Sequence, residues 1–110
     1  MTIAVVIPAH NEERLIGRCL ASIHRAAARA ATEATVTVVA NRCTDGTADV
    51  AESLGARVVT SEARNLASVR NTGIAAGAGE IVVTVDADGI VHPDTFREVT
   101  RRLDSGSYVG

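Results

Sequence analysis

Two aspartates separated by one alanine, Asp86 and Asp88, are the residues whose types and spacing best suit a metal-binding or catalytic role. They follow the run 81–85, Ile-Val-Val-Thr-Val, which has no helical stripe and predicts a strand buried on both faces. Residues two apart in extended chain point to the same side, so both carboxylates can face one object while Ala87 faces away. Carboxylates that close repel unless a cation lies between them or one is protonated. The pattern predicts either a divalent cation with oxygen ligands or an Asp-Gly turn in water.

Polar residues also follow two other apolar runs of the chain. The segment 8–12 follows the run 3–7, and the segment 41–45 follows the run 35–40. Carboxyl ends of parallel strands meet at one edge of a sheet, and ligands bind there where the strand order reverses. If the first strand lies between the second and the fourth, all three polar ends share one crevice. No G-x-G-x-x-G and no P-loop follows the first run, so a standard dinucleotide site is not predicted.

Apolar runs alternate with helical stripes, which predicts an α/β fold. We expect a Rossmann-like, mostly parallel sheet of about four strands with helices on both faces. The strands are predicted at 3–7, 35–40, 56–60 and 81–85. The first helix is predicted to start at a cap formed by Asn11 and to bury one stripe, made of Leu15, Ile16, Cys19, Leu20 and Ile23. Further helices are predicted from Thr44 or Asp45 to Leu54, over about 66–76, and from Pro93.

The composition allows one domain and limits its partners. The 110 residues are 46% hydrophobic but only 2% aromatic, so the core must consist of Val, Ile, Leu and Ala. A net charge of -2 provides no basic surface for nucleic acid. No apolar run is long enough to span a bilayer, and Cys19 and Cys43 form neither a disulfide framework nor a zinc motif. We expect a cytoplasmic location, with the cytoplasmic face of a membrane as the alternative.

Four short segments, taken in order, resemble the signatures of the family 2 glycosyltransferases of GT-A fold. The first two read Val-Val-Ile-Pro-Ala-His-Asn-Glu-Glu at 5–13 and Val-Val-Ala-Asn-Arg-Cys-Thr-Asp-Gly-Thr at 38–47. The others read Val-Arg-Asn-Thr-Gly at 69–73 and Val-Asp-Ala-Asp at 85–88. The resemblance covers nearly the whole chain. It implies transfer of a sugar from a nucleotide-diphosphate donor, of UDP or GDP type, with inversion at the anomeric carbon.

The resemblance also implies a role for individual residues. Asp88 would bind Mg²⁺ or Mn²⁺ bridging the diphosphate, with Asp86 near the ribose and the metal. A dication there would neutralise the negative charge that grows on the leaving diphosphate. The residues implied to bind the nucleotide sugar are Pro8, Ala9, His10, Glu12, Asn41, Arg70 and Asp86. Asn41 stands where the family often has an Asp facing the base, which leaves the choice of nucleotide open.

The family resemblance further implies that 1–110 form the nucleotide-sugar-binding half of a GT-A domain, truncated at its C-terminus. The acceptor site and the general base would then belong to a further part of the protein. We therefore expect the chain to bind the donor without turnover. A sheet lacking a neighbouring strand exposes an edge, so we also expect the chain to self-associate.

Two alternative functions stay open on the sequence. The segment 83–89 is similar to the signature of haloacid-dehalogenase-type phosphotransferases, in which the first Asp, here Asp86, is a nucleophile. Against that reading, Ile90 stands where a Thr is expected, and the motif lies on the fourth predicted strand instead of the first. The other alternative is a non-catalytic nucleotide-binding module, because the catalytic base would lie outside this chain in either case.

Overall fold

The computed structural model describes residues 2–65, Ser68, Asn71 and 81–104. The elements among these residues follow in the order β1 (Thr2–Ala9), α1 (Ile16–Arg29), β2 (Glu33–Asn41), α2 (Thr47–Ser53), β3 (Arg57–Ser61), β4 (Ile81–Thr84) and α3 (Thr95–Asp104). The helix predicted over about 66–76 lies outside the described residues, except for Ser68 and Asn71, which are helical. The alternation of strands and helices confirms the predicted α/β class.

The four strands form one sheet in the order β3-β2-β1-β4, and all three pairings are parallel. β1 therefore lies between β2 and β4, which is the condition for bringing the polar strand ends together. In the register of the sheet, Val5 pairs with Val36 on one side and with Val83 on the other. β1 extends beyond the predicted range 3–7, since it includes Pro8 and ends at Ala9. Pro8 lies opposite Val39 one residue before the strand ends, where few ladder hydrogen bonds remain to be made.

The main core lies between one face of the sheet and the helices α1, α2 and α3. Alternate β1 residues Ile3, Val5 and Ile7 are fully buried there, against the α1 stripe and Phe96 of α3. On the other face, Val6 and Val39 form a second, smaller buried cluster. In the part of the chain that the structure describes, no helix has the length and apolar character needed to cross a membrane.

The α1 stripe buries Ile16, Cys19, Leu20 and Ile23 as their helical spacing predicts. The predicted burial of Leu15 is wrong, since its side chain is 38% exposed. Leu15 is the residue that precedes the first helical turn, so it does not share the direction of the stripe. No side chain caps this helix end. The predicted cap at Asn11 is therefore also wrong.

Candidate functional site

The carboxyl ends of β1, β2 and β4 open into one cleft of about 420 Å³. Strand order reverses at β1, which is where parallel α/β sheets bind ligands. The cleft is lined by residues from these strand ends and from the loop after β3, namely Pro8, Ala9, His10, Glu12, Asn41, Arg64, Asn65, Asp86, Ala87 and Asp88. All of the described residues that were predicted to belong to the site therefore line this one cleft. Arg70, which was also nominated, lies outside the described residues.

The backbone after β4 presents its two carboxylates to the cleft and its alanine to the core. Ala87 is 4% exposed and packs in the main core, whereas Asp86 and Asp88 are exposed. The burial of Ala87 and the exposure of the two carboxylates are as predicted, but residues 86–89 form a turn and not the extended chain that the prediction assumed. This turn is closed by the Gly89 N–H, which donates to the Asp86 carbonyl at 2.9 Å. A Cβ on Gly89 would lie 3.1 Å from that carbonyl oxygen, so the turn leaves little space for a side chain.

The carboxylates of Asp86 and Asp88 can act as ligands of a hard cation, but they do not form a complete metal site by themselves. Among residues 2–65, 68, 71 and 81–104, no group of three or more His, Cys, Asp or Glu side chains could hold a metal ion. Mg²⁺ is usually bound by one or two carboxylates together with water and substrate phosphates. Asp86 and Asp88 fit that mode of binding, in which phosphate oxygens complete the coordination.

The thiol of Cys19 lies behind the carboxylates, on the buried face of α1. Burial raises its pKa to about 11, and the nearby charges of Asp88 and Asp86 add to the effect. The thiol is therefore protonated at neutral pH and donates to the Asp86 carbonyl at 3.5 Å. A buried neutral thiol is a poor nucleophile, so the predicted packing role of Cys19 agrees with its environment.

The loop after β1 is fastened to the loop after β2 by side chains from both. Asn11 has a left-handed backbone (φ 52°), and its side-chain oxygen accepts from the Thr44 N–H at 2.7 Å. His10 Nδ1–H donates to the Asn41 carbonyl at 2.8 Å, which fixes the imidazole ring at the wall of the cleft. The Glu12 N–H donates to the hydroxyl of Thr47 at 2.9 Å. These contacts hold the cleft wall in one arrangement.

Asp45 completes this connection between the two loops. Its carboxylate accepts from the Glu13 N–H at 3.2 Å, from the Thr47 N–H at 3.0 Å and from the Thr47 hydroxyl. The hydrogen bond from the Thr47 side chain is the main cause that lowers the pKa of Asp45 below its ordinary value of 3.8. Thr47, which is fully buried, is also the first residue of α2. Asp45 therefore serves both the start of α2 and the position of the first loop.

We expect the contribution of Asp45 to stability to depend on pH. Its lowered pKa means that the folded state favours the carboxylate, so the stabilisation is present above pH 3.8 and is lost as the pH falls through the folded value. Asp45→Ala should be less stable than the wild type at neutral pH, and the difference should shrink in acid. Urea denaturation at about pH 7 and about pH 3 measures both differences. A difference that is the same at both pH values would contradict this assignment.

Asn41, at the end of β2, braces the loop that follows β3. Its side-chain amide donates to the carbonyls of Ser61 at 3.1 Å and Ala63 at 2.7 Å. Both amide hydrogens are used in this way, which leaves the side-chain oxygen as a hydrogen-bond acceptor of fixed orientation. A carboxylate could not make these two contacts, because it has no hydrogen to donate. Asn41 is thus part of a local hydrogen-bond network that an Asp at this position could not form.

Sequence reasoning missed Arg64 and Asn65, which the braced loop brings to the cleft. Arg64 is exposed, and it brings a guanidinium to the cleft that Asp86 and Asp88 also line. Asn65 accepts from the Ser68 N–H at 2.8 Å, as a residue does that caps a helical turn. The available signal was their position directly after the third predicted strand, whose end lies at the same edge of the sheet as the other polar ends.

The likeness to known proteins agrees with this arrangement. The sequence model of the family described as "Glycosyl transferase family 2" matches residues 4–110. An uncharacterized glycosyltransferase of Mycobacterium tuberculosis is 35% identical over 105 residues, covering 96% of this chain and 45% of the relative. The chain therefore spans less than half the length of that curated relative.

Two solved structures are similar in fold. S. aureus TarS 1-349, in complex with UDP-GlcNAc, has a TM-score of 0.82 and 26% identity, covering 96% of this chain and 32% of the other. Glucosyl-3-phosphoglycerate synthase from Mycobacterium tuberculosis, in complex with Mn²⁺, UDP and glucosyl-3-phosphoglycerate, has a TM-score of 0.76 and 29% identity, covering 93% of this chain and 39% of the other. With the family match over nearly all of its residues, this chain belongs to glycosyl transferase family 2.

Proposed function

We propose that this chain binds the nucleoside diphosphate of a sugar donor in the cleft between β1, β2 and β4. The observation that carries the proposal is the meeting of two kinds of group in one cleft. Pro8, Ala9 and His10 line the cleft at the end of β1, beside Asn41 of β2, while the carboxylates of Asp86 and Asp88 come from the end of β4 on the other side of β1. The first set suits a base and ribose, and the second suits a cation on phosphate oxygens.

The side chain of Asn41 bears on which nucleotide base the cleft would accept. Its side-chain oxygen accepts hydrogen bonds, since the amide hydrogens are donated to backbone carbonyls. Uracil and guanine each carry a ring N–H that could donate to this oxygen, whereas adenine has only ring acceptors and an exocyclic amine. An acceptor at this position is compatible with the donor of UDP or GDP type that the family resemblance implies, and we propose a donor of that type. Glu12, which also lines the cleft, accepts hydrogen bonds at the nucleotide end, and Arg70 is proposed to contact the donor as the family resemblance implies.

The proposed cofactor is Mg²⁺ or Mn²⁺, held by Asp88 and Asp86. When bound, the cation would neutralise the charge that develops on the diphosphate as the sugar leaves. Arg64 lies in the same cleft and can add a positive charge near the phosphates. The known complexes of TarS with UDP-GlcNAc and of glucosyl-3-phosphoglycerate synthase with Mn²⁺ and UDP support both parts of this proposal.

The proposed reaction is transfer of the sugar to an acceptor with inversion at the anomeric carbon. Inversion in one displacement needs a base that takes the proton of the attacking hydroxyl on the face opposite the diphosphate. We assign no residue of this chain to that base. We propose that it comes from a further part of a longer protein and that these 110 residues bind the donor without turnover. Unlike the phosphotransferase alternative, this proposed reaction does not use Asp86 as a nucleophile.

Isothermal titration calorimetry with UDP, GDP and ADP tests the proposal. UDP or GDP should bind about tenfold more tightly in Mn²⁺ than in EDTA, which corresponds to about 1.4 kcal/mol. ADP should bind several-fold more weakly than the preferred nucleotide, because adenine offers the acceptor oxygen of Asn41 an exocyclic amine but no ring N–H. Uridine, which lacks phosphate, is the control and should show no response to Mn²⁺. Equal affinities for the three diphosphates, unchanged by EDTA, would contradict the proposal.

A further inference from the structure

Two buried residues of α1, Cys19 and Ser22, contact the backbone of the segment that carries Asp86 and Asp88. Cys19 is fully buried and donates its S–H to the Asp86 carbonyl at 3.5 Å. Ser22 is 2% exposed, and its hydroxyl accepts from the Val91 N–H at 2.9 Å while it donates to the Cys19 carbonyl at 2.7 Å. The two contacts therefore lie on either side of Asp88 in the chain.

We propose that Cys19 and Ser22 are positioning residues that set the separation and direction of the Asp86 and Asp88 carboxylates toward a cation. The proposal rests on the function proposed above and adds residues that lie outside the cleft. Neither side chain lines the cleft, so neither can contact the nucleotide or the cation directly. Their effect on binding must pass through the backbone that they hold.

The geometry of the segment shows why such support is needed. β4 ends at Thr84, and Asp86 to Val91 have neither helical nor strand hydrogen bonding. On the strand side the segment is held by Val85, whose N–H donates to the Val6 carbonyl at 3.0 Å. Beyond the turn at Gly89, the Val91 N–H is bound to Ser22. Without the hydroxyl of Ser22, this N–H would lose its hydrogen-bond partner, and only the packing of the Val91 side chain against the core would hold that end of the segment.

The carboxylates themselves are exposed, which makes their backbone the main source of order. Two exposed carboxylates repel one another, and no hydrogen bond from a described side chain fixes the distance between them. A cation bound by two carboxylates requires both oxygens at once, so a site already in the right geometry binds more tightly. Groups that orient metal ligands typically change metal affinity by about tenfold or more when they are removed.

The test compares binding of UDP in Mn²⁺ and in EDTA for four variants of the 110-residue chain. Ser22→Ala and Cys19→Ala remove the two contacts, and Cys19→Ser keeps a donor at the same place. Ser53→Ala is the matched control, because Ser53 makes the same bond to the carbonyl three residues before it, at 2.7 Å, but lies exposed on α2. Electron paramagnetic resonance of bound Mn²⁺ reports the cation site independently of the nucleotide end.

Ser22→Ala should lower the affinity for Mn²⁺ by about tenfold and should therefore reduce the gain in UDP affinity from Mn²⁺, with little change in the affinity measured in EDTA. Cys19→Ala should act in the same direction with a smaller effect, because S–H donors are weak, and Cys19→Ser should restore the gain. Ser53→Ala should behave as the wild type. A purely structural role would lower both affinities together, and that result would overturn the proposal.

Other outcomes also decide the proposal. If the wild type gains affinity from Mn²⁺ and both Ala variants keep that gain, the positioning role is wrong while the proposed function stands. If the wild type itself shows no gain, the metal-assisted function is wrong and the positioning role is wrong with it. Should Ser22→Ala fail to fold, the pair Cys19→Ala and Cys19→Ser decides alone, since rescue by the second variant is the expected result.

Discussion

Asp88→Asn is expected to abolish the dependence of nucleotide diphosphate binding on Mn²⁺. The substitution keeps the size of the side chain and removes the charge that a hard cation requires. Because loss of a group that only orients a metal ligand already costs roughly tenfold to a hundredfold in metal affinity, loss of the ligand itself should cost at least about a hundredfold. Calorimetry with UDP in Mn²⁺ and in EDTA measures the effect, and the affinity in EDTA should change little.

The matched control for this substitution is Asp49→Asn. Asp49 is an exposed aspartate on α2, outside the cleft, so its substitution changes the net charge by the same amount without touching the site. It should leave the response to Mn²⁺ unchanged. If both variants lose the response equally, general electrostatic attraction of the cation is responsible and not coordination by Asp88. If neither loses it, Asp88 is not a ligand.

Asn41→Asp is expected to destabilise the protein although Asp is the residue the family often has at this position. A carboxylate would face the carbonyl oxygens of Ser61 and Ala63 and could donate to neither. We expect a loss of about 1–3 kcal/mol in the free energy of unfolding at neutral pH. The loop that carries Arg64 and Asn65 would lose its attachment, so UDP affinity should fall as well. Chemical denaturation and calorimetry measure the two effects.

The pH dependence separates this mechanism from a general effect of charge. A protonated carboxyl can donate one hydrogen bond, so the deficit of Asn41→Asp should shrink as the pH approaches the ordinary carboxyl value of about 4. Asn11→Asp is the control, because the side-chain hydrogen bonds of Asn11 to described residues use its oxygen, as an acceptor from Thr44. A carboxylate keeps that contact. Both variants should be compared at high ionic strength, which screens exposed charges. Equal losses in the two variants would contradict the role given to Asn41.

The sequence determined the elements and the place of the site. Apolar runs without helical spacing marked the strands, and polar residues directly after them marked the binding edge. The alternation at 86–88 predicted correctly that Ala87 enters the core while its neighbours face outward. These features are readable because the burial of apolar side chains has a local period, two residues in a strand and 3.6 in a helix.

Only the tertiary structure decided how the cleft is held together. Asn11 binds the loop after β2 instead of capping α1, Asn41 braces the loop after β3, and Ser22 holds the segment beyond Asp88. The partners in these contacts are between 22 and 69 residues apart in the chain. Hydrogen bonds of this kind depend on where separate loops meet after the sheet has formed, and they leave no periodic signal in the sequence. Most of the described residues that line the cleft could therefore be named in advance, with Arg64 and Asn65 as the exceptions, while the contacts that fix its shape could not.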